Sequence, residues 1–167
     1  ETLGVPESTV EALTLEETRP RAFREDEWLI TILRGINFNP GAEPEDMISM
    51  QMLADHCRVI TLRRRPLHSP REVLADIDRR HGPRSAGDLV VELAETMVAK
   101  MGSSIVDMNA VIDDLEEHED DYEPDDIQDQ ITDIRRNCLS LKRHMSPQRE
   151  ALRDIGRAAV PWLNKQN

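Results

Sequence analysis

The 167-residue sequence predicts an α+β, or mixed α/β, layer in which helices pack on a sheet and lead into a long helical hairpin. Three observations predict it. Short β-branched and apolar runs fall in the first part of the chain. From Ser85 to Ile155, apolar residues recur at helical spacing for far longer than a small domain needs. A single helical pattern stands between these two regions.

Taken in order, Pro6 to Leu15 reads as a short helix, with Pro6 in its first turn and Val10, Ala12 and Leu13 as its apolar residues. Thr18 to Arg24 contains Arg19-Pro20-Arg21, and the proline favours extended backbone leading into a strand. Trp28 to Ile36 is rich in β-branched and apolar residues and reads as a buried strand. Asn37 to Pro44, with Asn39-Pro40-Gly41, is a loop. Met47 to Leu53 and Arg58 to Arg63 follow as two strands folded back at Ala54-Asp55-His56. Arg63-Arg64-Arg65-Pro66 ends the sheet. Ser69-Pro70 then predicts the cap of a helix over Val73, Leu74 and Ile77, which Gly82-Pro83 stops.

The hairpin is read from two patterns. Ala86, Val90, Leu93, Met97, Met101, Ile105, Met108, Ile112 and Leu115 step by three or four residues along one helix face of roughly 50 Å. Ile127, Ile131, Ile134, Cys138, Leu141 and Met145 alternate four and three, as an a/d seam does. Pro124 marks the reversal, and a helix starts there with Glu123, Asp125 and Asp126 at the positive end of its dipole. Ser146-Pro147 predicts a further cap, opening a third helix with Leu152 and Ile155 before Pro161-Trp162. The chain is therefore expected to be one domain: a sheet-containing part over 1–84, the hairpin over 85–145, and a short helix with its tail over 146–167.

Charge narrows the function. The formal net charge is −12, which argues against nucleic acid and suits cations or basic partners. There is no Lys or Arg between Lys100 and Arg135, while Asp113, Asp114, Glu116, Glu117, Glu119, Asp120, Asp121, Glu123, Asp125, Asp126 and Asp129 crowd the hairpin tip. Cys57 and Cys138, far apart, fit a reducing compartment. No run reaches the roughly 18 to 20 apolar residues of a membrane span, and the first residues lack the features of a signal peptide. Common catalytic constellations such as a Gly-x-x-x-x-Gly-Lys loop, His-Glu-x-x-His, Gly-x-Ser-x-Gly or Cys-x-x-Cys are not written locally, so no enzyme is expected.

Five motifs occur in one order: Glu17-Thr-Arg-Pro-Arg21; Leu33-Arg-Gly-Ile-Asn37 with Asn39-Pro40-Gly41; Pro44-Glu-Asp-Met47; Val59-Ile60 leading to Arg63-Arg64-Arg65; and Arg143-His-Met-Ser-Pro-Gln-Arg-Glu-Ala-Leu152. In these the chain resembles the ZntB zinc transporters, a branch of the CorA family of divalent-cation transporters, from about Thr9 to Leu163. The resemblance implies a cytoplasmic domain at the inner membrane, a mixed sheet layered with helices, and assembly as a homopentameric funnel. It also implies further strands before the first helix. After Trp162-Leu163 it implies a stalk helix, two membrane helices that reach the bilayer, and a Gly-x-Asn signature at the pore mouth.

Within that frame the acidic tip is the first candidate site. Asp114, Glu117, His118, Asp120 and Asp121 offer carboxylate and imidazole ligands for Zn²⁺, although helical geometry turns adjacent residues apart. The plainer reading is a solvated tip that concentrates cations by its field, screened over about 8 to 10 Å. His56 and Cys57 sit at the predicted hairpin turn. As neighbours on a strand they face opposite ways, and two ligands do not make a tetrahedral site. Cys138 in the seam reads as a small buried hydrophobe, and the Met residues of strand and helix as core filling rather than soft-metal ligands. His144 neighbours Arg143 in a basic patch, and His68 and His81 read as surface residues. Arg63, Arg64 and Arg65 offer contacts to an anion or to a neighbouring subunit.

The expected function is a cytoplasmic funnel domain of a zinc or divalent-cation transporter that attracts cations and regulates the pore. No cofactor is required, and Zn²⁺ enters as a transported or regulatory ion. The alternative is a soluble helical-hairpin interaction module whose acidic tip binds a basic protein.

Overall fold

A computed structural model describes residues 5, 7–14, 19–42, 46–118, 123–158 and 160–163. The order of elements is α1 (Glu7–Thr14), β1 (Arg21–Glu25), β2 (Trp28–Gly35), β3 (Ile48–Ala54), β4 (Val59–Leu62), α2 (His68–Asp78), α3 (Ala86–Glu117) and α4 (Pro124–Arg157). The layered class stands, and the described strands form an antiparallel meander in the order β1-β2-β3-β4. Arg21 to Glu25, expected only as extended backbone, pairs with β2 from Arg21↔Ile32 to Glu25↔Trp28. The two-residue link Asp26-Glu27 places Asp26 at φ 53, a left-handed conformation that aspartate tolerates better than most residues.

Both faces of the sheet are covered, which is why β2 is buried almost throughout. On one face Leu33, Met50 and Met52 pack with Leu93, Met97 and Ala151, while Leu29 and Ala54 pack with Val90 and Ile155. On the other, Leu13 of α1 packs with Trp28, Ile30 and Leu53. The buried Thr9 hydroxyl donates to a Glu25 carboxylate oxygen, fastening α1 to the end of β1. Methionines 47, 50, 52, 97 and 101 are buried among apolar neighbours, so they fill core as expected. Gly35 permits a close approach: a β-carbon there would lie 2.9 Å from Leu67 Cδ1. In the β2–β3 connection Gly41 has φ 75 and Ala42 N–H donates to Asn39 O at 3.1 Å, a turn that needs glycine after Pro40.

Three expected boundaries are corrected. The cap of α2 is Leu67, in extended backbone, not Ser69; Ser69 and Pro70 lie inside the first turn, where proline's missing N–H has no intrahelical partner to lose. That helix ends before Gly82. Arg80 takes the left-handed position (φ 62), with Arg80 N–H donating to Ile77 O and His81 N–H to Asp76 O, both at 2.9 Å, a Schellman closure built on arginine. Third, α4 continues through Ser146-Pro147 to Arg157, so no third helix begins there. An interior proline costs about 3 kcal/mol. Burial of Leu141, Gln148, Ala151 and Ile155 on the base offsets that cost.

Gln148 supplies what β1 does not. β1 stops opposite Ile32, leaving the peptide groups of Arg34 without a strand on that side. The buried Gln148 side chain fills the gap: its Oε1 accepts from Arg34 N–H at 2.8 Å and its Nε2 donates to Arg34 O at 2.9 Å. A side-chain amide thus completes the ladder.

Candidate functional site

The hairpin projects because its two ends differ in what they meet. From Ala86 to Met101, α3 buries a residue at nearly every turn against the sheet and α4. The 16 further residues of α3, Gly102 to Glu117, extend about 24 Å at 1.5 Å per residue. There the predicted a/d seam is corrected. Leu141 is buried and Ile127 and Ile134 half-buried, but Ile131, Cys138 and Met145 are exposed. Two helices without a third element bury only a narrow stripe.

At the tip, His118 is the C-cap of α3 and its N–H donates to Asp114 O at 3.0 Å. Its Nδ1 lies 3.2 Å from the same carbonyl and 3.3 Å from Asp114 Oδ1. Asp114 and His118 are therefore brought together, and both are about half-exposed. Glu117 is exposed one residue before His118. Asp120 and Asp121 lie outside the described residues. On α4, Glu123 caps the helix and Pro124 takes its first position, with Asp125 and Asp126 in the first turn as expected.

The arginine run divides. Arg64 and Arg65 line a polar hollow of about 310 Å³ with Arg34, Asp46, Ser49 and Gln51, whereas Arg63 does not line it. Burial lowers the pKa of Arg34, whose Nη1 donates to Met47 O at 3.3 Å. Nearby His144 is half-buried, and burial first, then the charges of Arg34 and Arg143, push its imidazole below the ordinary value. The expected basic surroundings of His144 are present, and Arg34 is the member that sequence spacing alone does not place there.

The β3–β4 turn holds the least anticipated arrangement. Asp55 Oδ1 accepts from the backbone N–H groups of Cys57 (2.9 Å) and Arg58 (3.0 Å), and its Oδ2 accepts from Arg58 Nε at 2.7 Å. Burial would raise the Asp55 carboxyl, but the Cys57 amide, the Arg58 guanidinium and the Cys57 thiol overcome it and hold it at about 2. His56 and Cys57 are turn residues rather than strand neighbours, so the opposite-facing geometry expected of them does not apply. Among the described residues, one group of three metal-ligating side chains converges, and it is Asp55, His56 and Cys57. An aspartate opening a tight turn was the available signal, since its side chain bonds the backbone two residues on.

A family model for the CorA-like Mg2+ transporter protein matches residues 1–167. The divalent cation transporter CmaX of Pseudomonas aeruginosa is 37% identical over 164 residues, covering 96% of this chain and 49% of that protein. The zinc transport protein ZntB of Pectobacterium atrosepticum is 32% identical over 164 residues, covering 97% of this chain and 49% of that one. The chain thus spans about half the length of these curated relatives. The solved structure of full-length CmaX superposes with a TM-score of 0.90 at 36% identity, covering 98% of this chain and 50% of that one. The crystal structure of the ZntB cytoplasmic domain from Vibrio parahaemolyticus gives 0.85 at 27%, covering 98% and 65%. No helix among the described residues is long and apolar enough to cross a membrane. With a family model matched along its whole length and the fold shared with both solved relatives, the chain belongs to the CorA-like Mg2+ transporter family.

Proposed function

We propose that this chain is the cytoplasmic domain of an inner-membrane transporter of zinc or related divalent cations, working as one wall of a homopentameric intracellular funnel. Its hairpin tip gathers cations by its field, and its layered base holds that tip rigidly. One observation carries the reading: the outer hairpin is acidic on both helices and has no Lys or Arg between Lys100 and Arg135. Such a surface raises the local cation concentration without a tight site, and conduction requires that ions also leave. Bound cations relieve repulsion between the carboxylates of α3 and α4, so the cytosolic ion level biases how closely the two helices approach.

Calorimetric titration with Mg²⁺ tests the field. Binding is expected to be weak and to fall several-fold between about 50 and about 150 mM salt. It should fall again when Asp113, Asp114, Glu116 and Glu117 are replaced by their amides. Binding indifferent to salt and to these substitutions would sink the reading. A second reading, a helical-hairpin module that binds a basic partner, is favoured by the exposed Val106 and Ile131 among the acidic residues. Tight binding of a lysine-rich amphipathic peptide at physiological salt, without divalent cation, would put that reading first.

A further inference from the structure

The β3–β4 turn lies at the opposite end of the molecule from the acidic tip. Ala54, the residue before it, packs with Val90 near the start of α3. Glu117 is 27 residues further along that helix, about 40 Å away. What happens at this turn is therefore separate from the field of the tip.

We propose that Asp55, His56 and Cys57 form a binding site for a borderline or soft divalent cation, Zn²⁺ above all. One carboxylate oxygen, one imidazole nitrogen and the thiol sulfur lie within 4.8 Å of one another. Cys57 Sγ and Asp55 Oδ1 are already 3.3 Å apart. A tetrahedral zinc with a sulfur ligand at about 2.3 Å and an oxygen at about 2.0 Å sets those two ligands roughly 3.5 Å apart, so this edge of the tetrahedron is preformed. Rotation of the exposed His56 side chain completes a third vertex, and water takes the fourth.

The surroundings suit this chemistry. Asp55 is buried and oriented by two backbone amides and by Arg58, as the hydrogen-bond partners of a ligating carboxylate orient it. Arg58 in turn lies over the Trp28 ring, 5.1 Å from its centroid, which ties the turn to the sheet. Binding replaces the Cys57 S–H bond by an S–metal bond and releases that proton to solvent. Thiolate and carboxylate together carry −2 and match the ion's charge, and Arg58 holds Oδ2, the carboxylate oxygen that does not face Cys57 Sγ. A thiolate and an imidazole together also discriminate against Mg²⁺, which the carboxylates of the acidic tip do not.

Cobalt(II), a spectroscopic stand-in for zinc, tests the site on the full 167-residue chain. One equivalent is expected to produce a thiolate-to-cobalt charge-transfer absorption that Zn²⁺ abolishes and excess Mg²⁺ does not. Cys57→Ser should remove the band, His56→Ala should weaken cobalt binding at least tenfold (on the order of the loss seen for supporting residues), and Cys138→Ser should leave both unchanged. All three substituted positions are exposed and circular dichroism should be unaltered, so loss of fold does not mimic loss of metal. Absence of the band, its survival in Cys57→Ser, or saturation at half an equivalent, which means an ion shared between two chains, would overturn the proposal. The tip-neutralised variant separates this site from the field: it should lose salt-sensitive Mg²⁺ binding and keep the cobalt band.

Discussion

The inner and outer halves of the α3–α4 pair obey the same apolar period and bury it to different depths. Near the sheet, Val90, Met97, Ala151 and Leu141 are at most 2% exposed. Beyond Met101 burial of the stripe is uneven: Leu115 is 6% exposed, but Ile112 is 36% and Ile131 54% exposed. The pattern specifies a helix in both places; continuous burial requires a third surface, which the base supplies. The difference teaches that helical periodicity reports secondary structure, while the depth of the stripe reports what lies opposite.

That contrast can be broken by truncation. Leu33→Ala or Met97→Ala, fully buried in the base, should lower unfolding free energy by about 3 to 4 kcal/mol in urea titrations. Ile131→Ala on the outer hairpin should cost under about 0.5 kcal/mol. Similar losses at the two ends would mean that the outer hairpin has a partner surface. Next in size is the amide that stands in for a strand. Gln148→Leu keeps the bulk but leaves Arg34 N–H and C=O without their partner, a loss of about 2 to 3 kcal/mol. Gln148→Glu should recover the donor's bond and not the acceptor's, falling between the two.

A smaller effect depends on pH. Burial and the charges of Arg34 and Arg143 hold the His144 imidazole below its ordinary value of 6.5. The unfolded chain therefore binds that proton more readily than the folded one. The contribution is fully present above about pH 6.5 and is lost as pH falls through 6.5 toward the folded value. Unfolding free energy followed down this window should decline in the parent and decline less in His144→Gln. Parallel slopes would remove His144 from the account.

How much of this was legible depended on whether the signal was local. The strand at Trp28 to Gly35, the β3–β4 hairpin, the reversal at Pro124 and the length of α3 follow from residue type, proline and period. β1 was read only as extended backbone because Arg21 to Glu25 alternates weakly and its pairing is made by β2. Continuity through Pro147 was not legible, since the stabilising contacts come from a sheet more than 100 residues earlier. Gln148 stands in a recognisable motif, yet its work on Arg34 appears only in space. Likewise His56 and Cys57 read as neighbours facing opposite ways, and only the folded turn brings their ligand atoms to that of Asp55, while Cys138 read as buried because the seam was assumed to close. The acidic tip was evident from charge alone, although Asp120 and Asp121 fall outside the described residues.

The smallest effect sharpens the comparison most, because it should move one half of the hairpin and leave the other still. Asp113, Asp114, Glu116 and Glu117 of α3 share the tip with Asp125 and Asp126 in the first turn of α4. Replacing the first four by amides relieves like-charge repulsion between exposed groups, which in high dielectric is worth little: global stability should rise by no more than about 0.5 kcal/mol. Amide hydrogen exchange resolves it locally. Protection should increase over residues 105–117 and 124–135 in the variant, should increase there in the parent on adding Mg²⁺ or salt, and should not change over 86–101 or in the sheet, whose opening is governed by apolar burial. Equal changes in both halves would mean that the tip and the base open as one unit. No change in the outer half would mean that carboxylate repulsion does not hold these helices apart, and that cations gathered at the tip cannot bias their approach.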